Sequence, residues 1–371
     1  MSGGTRHHSW AVAGGGTGGH ITPALALAER IAARGDRVVL LGSDQGLETT
    51  LVPEAGFELA VLPSRQVMGQ GPLARLGAVL TIARGGVAAL RTLRARGVAI
   101  VVSVGGYASV PAVLAALLLR VPVALVEPNA RPGRANRALA RFARRIFVQF
   151  DAAAAALAPG DERASAPGIP LRSALVAAFA DAPPRRLPEP PYRLLVFGGS
   201  QGARQINEAV MEAVPSLRAL PLRVFHQTGP ADRERVHAAY RAAGVEAEVV
   251  DFERDMPRRY READLALCRA GALTVAELAM AGLPALLVPY PFAADDHQAA
   301  NARALADAGA ARVLPSRPLT GADVAQAVGA LLASPESLRA MGAAAAKLAR
   351  PDAAERIVEA CAELLEPAEE A

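Results

Sequence analysis

The chain has 371 residues, 52% of them hydrophobic and 20% charged, with a formal net charge of +4. That length suggests two or three domains, and that apolar content excludes a disordered chain. Aromatic residues make up only 4%, too few for a platform that stacks single-stranded nucleic acid, and Cys268 and Cys361 stand alone, outside any CxxC or zinc-like spacing, as in a reduced cytosolic protein.

The first half alternates short apolar runs with longer helical patterns. "WAVAG", "RVVLLGS", "FELAVLPS", "VAIVVSV", "VPVALVE" and "RIFVQF" read as strands, and segments such as "ITPALALAERIAARG", closed by Gly35, read as helices. Near-continuous apolar strands between helices predict a parallel, doubly wound α/β sheet. No leader peptide is expected at the start. Val98 to Leu119 carries no charge, about the length of a membrane span, but Gly105-Gly106, two serines and Pro111 divide it into a strand and a helix. Residues 1–172 hold 19 Arg and no Lys against 10 acids, and from Arg65 to Arg145 thirteen arginines face one acid, Glu127. Such a field suits an anionic partner: a phosphate substrate, an anionic membrane surface, or both.

"ADAPPRRLPEPPY", residues 180–192, has five prolines and reads as a stiff linker. The alternation then restarts with "RLLVFGGS", "LRVFHQTG", "AEVVDFE", "DLALCRAG", "LPALLVPYP" and "ARVLPS", so two similar α/β domains stand in tandem. From Gly321 the Ala-rich tail reads as two or three helices. Ligands of such sheets bind at the carboxyl ends of the strands, which points to the cleft between the domains.

Four elements carry chemistry. Gly14, Gly16 and Gly19 fit G-x-G-x-x-G between a strand and a helix, and Asp44 follows the second strand. This is the dinucleotide fingerprint, so a NAD-dependent dehydrogenase is a rival reading. The bare backbone of this loop would let a diphosphate or a sugar approach. "FGGSQGARQIN" places Gly198, Gly199, Ser200 and Gly202 before another helix, where unpaired N–H groups attract phosphate. "RAGALTVAEL" puts Thr274 in a first helical turn, with Glu277 placed either to favour the helix dipole or to hold two ribose hydroxyls. "PFAADDHQAANA" then offers Gln298 among sugar-binding residue types.

Taken together, "GGGTGGH", "SVGGYASVP", "PNARPGRANR", "GIPLR", "GGSQGARQIN", "RAGALTVAEL" and "PALLVPYPFAADDHQAANA" resemble the MurG family of N-acetylglucosaminyltransferases, in order and over nearly the whole chain. The resemblance implies a GT-B fold. An acceptor and membrane-facing Rossmann-like domain would occupy 1–172, a Pro-rich linker 173–191, a UDP-sugar domain 192–350, and a helix returning to the first domain 351–371. It implies inverting transfer from UDP-N-acetylglucosamine to the muramoyl 4-hydroxyl of an undecaprenyl-diphosphate-linked muramoyl-pentapeptide, at the cytoplasmic membrane face. By motif, Thr17, Gly18 and Gly19 would border the reaction centre. Ser200 would meet the diphosphate and Arg172 the nucleotide sugar. Phe252 and Glu253 would offer main-chain groups to uracil. Ala272, Leu273, Thr274, Val275, Ala276 and Glu277 would wrap phosphate and ribose, while Gln298 and Asn129 would contact sugars. The family usually has His-Glu-Gln-Asn where this chain has Val126-Glu127-Pro128-Asn129, a departure on the acceptor side.

A sugar hydroxyl needs a general base, which contributes about 10²–10⁴-fold. His20, at the junction of loop and helix, has the right ordinary pKa; Glu127 is the rival. Without an Asp-x-Asp motif no metal is expected, no cofactor is implied, and helix starts at Ser200 and Thr274 would stabilise the leaving diphosphate. Residues 72–97 interleave apolar residues with Arg75, Arg84, Arg91, Arg94 and Arg96, a pattern for peripheral contact with anionic lipid. A GT-B transferase acting on another glycolipid or a small aglycone, and a non-catalytic nucleotide-sugar binder, are the remaining alternatives.

Overall fold

The structure, a computed structural model, describes residues 7–366 apart from 17, 45, 64–71, 108, 184, 200 and 201; within 72–80 and at 294 it describes the backbone alone. The chain forms two compact units, residues 1–173 with 350–371, and residues 174–349.

The first unit is built from β1 (Ser9–Gly14), α1 (Gly18–Ala33), β2 (Arg37–Gly42), α2 (Glu48–Glu54), β3 (Glu58–Val61), α3 (Pro72–Ala95), β4 (Val98–Gly105), α4 (Ser109–Leu118), β5 (Val123–Glu127), α5 (Arg134–Leu139), β6 (Arg145–Val148), α6 (Asp151–Leu157) and β7 (Ala164–Ser165). Its seven strands are ordered β3-β2-β1-β4-β5-β6-β7, all parallel. β1 explains why both faces are covered. Ala11 and Ala13 point into one apolar core and Trp10 and Val12 into the other. A strand buried on both sides reads as an unbroken apolar run, and this one does. The uncharged stretch from Val98 divides, as its glycines and proline require, into β4 and α4. Among the described residues no helix is long and apolar enough to cross a membrane.

The span expected as linker begins with a helix, α7 (Ser173–Ala180). The second unit continues with β8 (Tyr192–Phe197), α8 (Arg204–Leu217), β9 (Leu222–Gln227), α9 (Arg233–Ala243), β10 (Ala247–Val250), α10 (Met256–Glu262), β11 (Leu265–Cys268), α11 (Ala272–Ala281), β12 (Ala285–Leu287), α12 (His297–Asp307), β13 (Ala311–Val313), α13 (Gly321–Leu332) and α14 (Pro335–Lys347). Its six parallel strands run β10-β9-β8-β11-β12-β13, the same winding as the first sheet. The tail's last helix, α15 (Ala353–Ala362), belongs to the first unit. There Ile357, Val358 and Cys361 enter the core that α1 lines, and Glu355 pairs with Arg30.

In each sheet the strand order reverses beside the first strand, β1 or β8. Loops leaving a sheet at such a switch point have no neighbour above them and are where ligands are admitted. Both glycine loops leave from there.

Candidate active site

In the second unit, the turn after β8 reaches α8 through Gly198, Gly199 and Gly202. A Cβ on Gly202 would lie 1.9 Å from the Thr228 carbonyl oxygen, and its φ is +73°, so only glycine fits. Gln227, almost fully buried, donates from Nε2 to the Gly199 carbonyl at 3.0 Å and to the Asp251 carbonyl at 3.2 Å. One amide thereby ties the glycine turn to the segment carrying Phe252 and Glu253. The Glu253 carboxylate accepts from the Asp255 N–H at 2.9 Å and from Arg259 Nε at 2.6 Å, which fixes the main chain around it.

A pocket of about 850 Å³ is lined by Gly198, Gly199, Gly202, Arg269, Gly271, Thr274, Tyr290 and Gln298, with others of this unit. Two helix starts, those of α8 and α11, open on it. Their first N–H groups have no partner within the helix, so the pocket favours an anion. Arg269 adds a cation. Its Nη1 donates to Gln205 Oε1 at 3.0 Å and to the Val288 carbonyl at 3.2 Å. Gln298, which lines the pocket, accepts at Oε1 from the Tyr290 N–H at 2.9 Å. Before it, Asp295 and Asp296 both adopt left-handed backbone, φ +52° and +55°, a conformation found at ligand clamps.

The structure places the remaining second-unit candidates less evenly. Glu277 lies one turn along α11 from Thr274, half-buried, and accepts from the Tyr260 hydroxyl at 2.7 Å. Burial pushes its carboxyl up to about 7, against the pull of that hydrogen bond. Val275 is fully buried and its N–H bonds the Gly271 carbonyl at 3.0 Å; Ala272 is buried, and Leu273 and Ala276 are half-buried. Ser200, like Thr17 of the first unit, lies outside the described residues.

In the first unit, Gly18 and Gly19 open α1 and His20 sits in its first turn, half-buried. A Cβ on Gly105 would lie 3.3 Å from Asn136 Nδ2 and 3.5 Å from His20 Cδ2, so the imidazole and this amide flank the same glycine. Asn136 Nδ2 donates to Glu127 Oε2 at 2.9 Å, and Asn136 Oδ1 is buried without a partner among the described residues. His20 and Glu127 are therefore neighbours through Asn136.

Glu127 is 2% exposed and heavily engaged. Besides Asn136, it accepts from the Asn129 N–H at 2.9 Å, Asn129 Nδ2 at 3.2 Å and the Gly133 N–H at 2.9 Å. Its carboxylate organises residues 128–136, and Asn129 points into that network. Val126 is fully buried in β5, so the departure there is accommodated in the core. Arg172 pairs with Glu29 of α1 at 2.5 Å, within the first unit.

The first glycine loop differs from its sequence reading. Its Gly16 N–H donates to both oxygens of the fully buried Glu48, at 3.1 and 3.0 Å. Gly16 is the second glycine of the fingerprint, whose backbone would approach a dinucleotide pyrophosphate. That donor faces a carboxylate of the chain itself, and Asp44, the acid the dehydrogenase reading needs, is exposed. Among the described residues, no group of three or more His, Cys, Asp or Glu is arranged to hold a metal ion.

Glu48, Asn136, Tyr260 and Arg269 are site residues the sequence did not single out. Glu48, Tyr260 and Arg269 bond partners 32, 17 and 64 residues away, and Asn136 flanks Gly105 of another element, contacts that leave no local signal.

Two Rossmann-like parallel sheets, the second with an anion-seeking pocket at its switch point, are the architecture of the GT-B fold. The chain belongs to glycosyltransferase family 28: residues 10–148 match the family's N-terminal domain and residues 193–357 its C-terminal domain. It is 45% identical over 358 residues to a UDP-N-acetylglucosamine–N-acetylmuramyl-(pentapeptide) pyrophosphoryl-undecaprenol N-acetylglucosamine transferase of an Anaeromyxobacter species, covering 95% of this chain and 93% of that one. The protein of the same description from Myxococcus xanthus is 41% identical, covering 95% and 92%. The crystal structure of Acinetobacter baumannii MurG superposes with a TM-score of 0.79 at 32% identity, covering 96% of this chain and all of that one.

Proposed function

We propose that this chain transfers N-acetylglucosamine from UDP-N-acetylglucosamine to the 4-hydroxyl of an undecaprenyl-diphosphate-linked muramoyl-pentapeptide, inverting the anomeric carbon. The relatives' names supply donor and acceptor. The observation that carries the reading is the second-unit pocket, where two helix starts, Arg269, Thr274 and Gln298 converge. A diphosphate suits the helix starts, and a sugar with hydroxyl and acetamido groups suits Gln298. Glu277, one turn deeper, suits vicinal ribose hydroxyls, and the main chain at Phe252 and Glu253 suits the uracil edge.

His20 is the general base in this reading. Glu127 has its oxygens occupied by four N–H donors and is closed from solvent, whereas His20 stands at the loop-to-helix junction. His20 takes the proton of the acceptor 4-hydroxyl, whose oxygen bonds to the anomeric carbon as the bond to the UDP oxygen breaks. The charge arriving on the β-phosphate is met by fixed N–H donors, which need no reorganisation. The departing diphosphate is thus stabilised where it was bound.

The acceptor is lipid-linked, and α3 supports peripheral membrane attachment. Arg84, Arg91 and Arg94 are exposed, and no carboxylate among the described residues pairs with them. Val87 of α3, and Leu114 and Leu118 of α4, the helix packed on it, expose apolar surface, Leu118 to 77%. The side chain of Arg75 lies outside the described residues.

Calorimetric titration with UDP-N-acetylglucosamine, UDP-glucose and NADH, followed by transfer to the lipid-linked acceptor, tests the whole reading. Binding of the first with transfer is expected. Tight NADH binding, or transfer of glucose in preference, would reassign the activity.

A further inference from the structure

Glu48 holds a position that the reaction does not explain by itself. Its carboxylate takes the Gly16 N–H on both oxygens, and Oε1 also takes the Ser43 N–H at 2.9 Å and the Ser43 hydroxyl at 2.6 Å. A Cβ on Gly15, Gly42 or Gly46 would come within 2.3, 2.8 or 2.0 Å of its side chain. Three separate stretches of backbone therefore lack side chains where this one carboxylate sits. Burial works against its charge, but hydrogen bonds from Ser43 and Gly16 outweigh it and hold the carboxyl below the usual range. It is an anion in a cradle of donors, the arrangement such a loop otherwise offers to phosphate.

A brace of this kind matters for the reaction because of where the braced backbone leads. Gly18 begins α1 and His20 lies in its first turn. A Cβ on Gly106 would lie 2.8 Å from the Gly15 carbonyl oxygen and 3.5 Å from His20 Nδ1. The loop and the imidazole thus pack on the same turn after β4, so a displacement of the loop reaches the ring.

We infer that Glu48 is the positioning residue of the first glycine loop: an internal anion that takes the seat of a ligand phosphate, orders Gly14–Gly16 through the Gly16 N–H, and thereby fixes His20. It follows that no substrate diphosphate is held by that N–H, and that the loop is preformed before substrate arrives. The link to turnover rests on His20 acting as the base.

Glu48→Gln keeps shape but turns one acceptor oxygen into an N–H₂ facing donors. Glu48→Ala empties the seat. Both are compared with wild type in the full-length protein, by transfer kinetics, by UDP-N-acetylglucosamine affinity, and by amide hydrogen exchange over residues 12–22. The expected result for Glu48→Gln is a fall in kcat of about 10- to 100-fold with donor Kd within twofold, since breaking one side of a buried charged hydrogen bond is costly. Exchange in that segment should quicken at least about tenfold, as expected when a brace of that strength is lost. Acetate should restore kcat of Glu48→Ala severalfold where chloride at equal ionic strength does not. Wild-type kcat in folded Glu48→Gln, a loss that donor affinity shares, unquickened exchange, or failure of acetate with folded Glu48→Ala overturns the proposal. Should Glu48→Ala not fold, Glu48→Gln decides alone. Exchange needs no turnover: quickened exchange in a protein that transfers no sugar would indict the assigned reaction and leave the brace standing.

Discussion

The Tyr260 hydroxyl donates to Glu277 Oε2 at 2.7 Å, while its ring meets Phe197 edge-on with centroids 5.9 Å apart. Phe197 is the last residue of β8 before the glycine turn. One buried tyrosine thus links the acid assigned to the ribose with the loop assigned to the diphosphate. Glu277→Ala should weaken UDP binding by about 10- to 150-fold, the equivalent of about 1.5–3 kcal/mol for hydrogen bonds to a charged group. Tyr260→Phe, which keeps the ring, should cost only several-fold. Calorimetry with UDP reads both; undiminished affinity in folded Glu277→Ala removes that residue from the site.

The same carboxyl should give UDP-N-acetylglucosamine binding a pH dependence. Its folded value is raised to about 7, mainly by burial, and the ribose needs the ionised form as acceptor. Protons therefore compete with the ligand: affinity should be full above pH 7 and fall toward tenfold per unit below it. Tyr260→Phe removes the hydrogen bond that lowers the value, so its midpoint should move upward. Glu277→Gln should be flat. The sugar nucleotide is the proper probe because its diphosphate, esterified at both ends, does not titrate near neutrality. A wild-type affinity independent of pH between 5.5 and 8 would contradict the assignment.

His20→Ala should lose about 10²–10⁴-fold in kcat, the usual contribution of a positioned base. Donor affinity should stay within a few-fold, because the described residues lining the pocket proposed for the donor all belong to the second unit. Glu127→Gln should behave differently. Its new amide would face the N–H groups of Asn129, Gly133 and Asn136, so the expected cost is thermal stability, on the order of 1–3 kcal/mol. A stable Glu127→Gln protein that loses turnover, beside an active His20→Ala, would exchange the two roles.

Vesicles containing anionic lipid should bind the protein at low salt and release it at moderate salt. Attraction between exposed charges decays over about 10 Å at 0.1 M salt, and each arginine at the surface contributes about 1 kcal/mol. Replacing Arg84, Arg91 and Arg94 by Gln should weaken co-sedimentation and leave UDP binding intact. Leu118→Ser should loosen the residual, salt-resistant fraction. Equal binding by the triple variant would move the contact away from α3.

α15 offers a stability test. Ile357 is fully buried against the core lined by α1, so Ile357→Ala should cost about 2–5 kcal/mol. A drop in Tm with unchanged UDP affinity in the folded variant is expected; a neutral substitution would mean that α15 packs more loosely than this core requires.

The sequence by itself determined the winding of both sheets. Strands such as "WAVAG" and "RLLVFGGS" are apolar on both faces because helices cover both, and that constraint is written locally, residue after residue. It also located both glycine turns, since glycine between strand and helix is demanded by backbone geometry alone. A two-residue strand, β7, carries too little pattern to be read. What occupies a glycine turn was decided only in three dimensions. The first loop reads as a dinucleotide fingerprint, and nothing near Gly16 in sequence reveals that Glu48, 32 residues on, answers its N–H. Glu127 reads as a lone acid fit for proton transfer until Asn129, Gly133 and Asn136 close around it. Tyr260 meets Glu277 across 17 residues, from a different helix. Periodicity and turn chemistry act between neighbours and survive in the sequence; which donor meets which acceptor depends on distances that exist only after the sheets have wound.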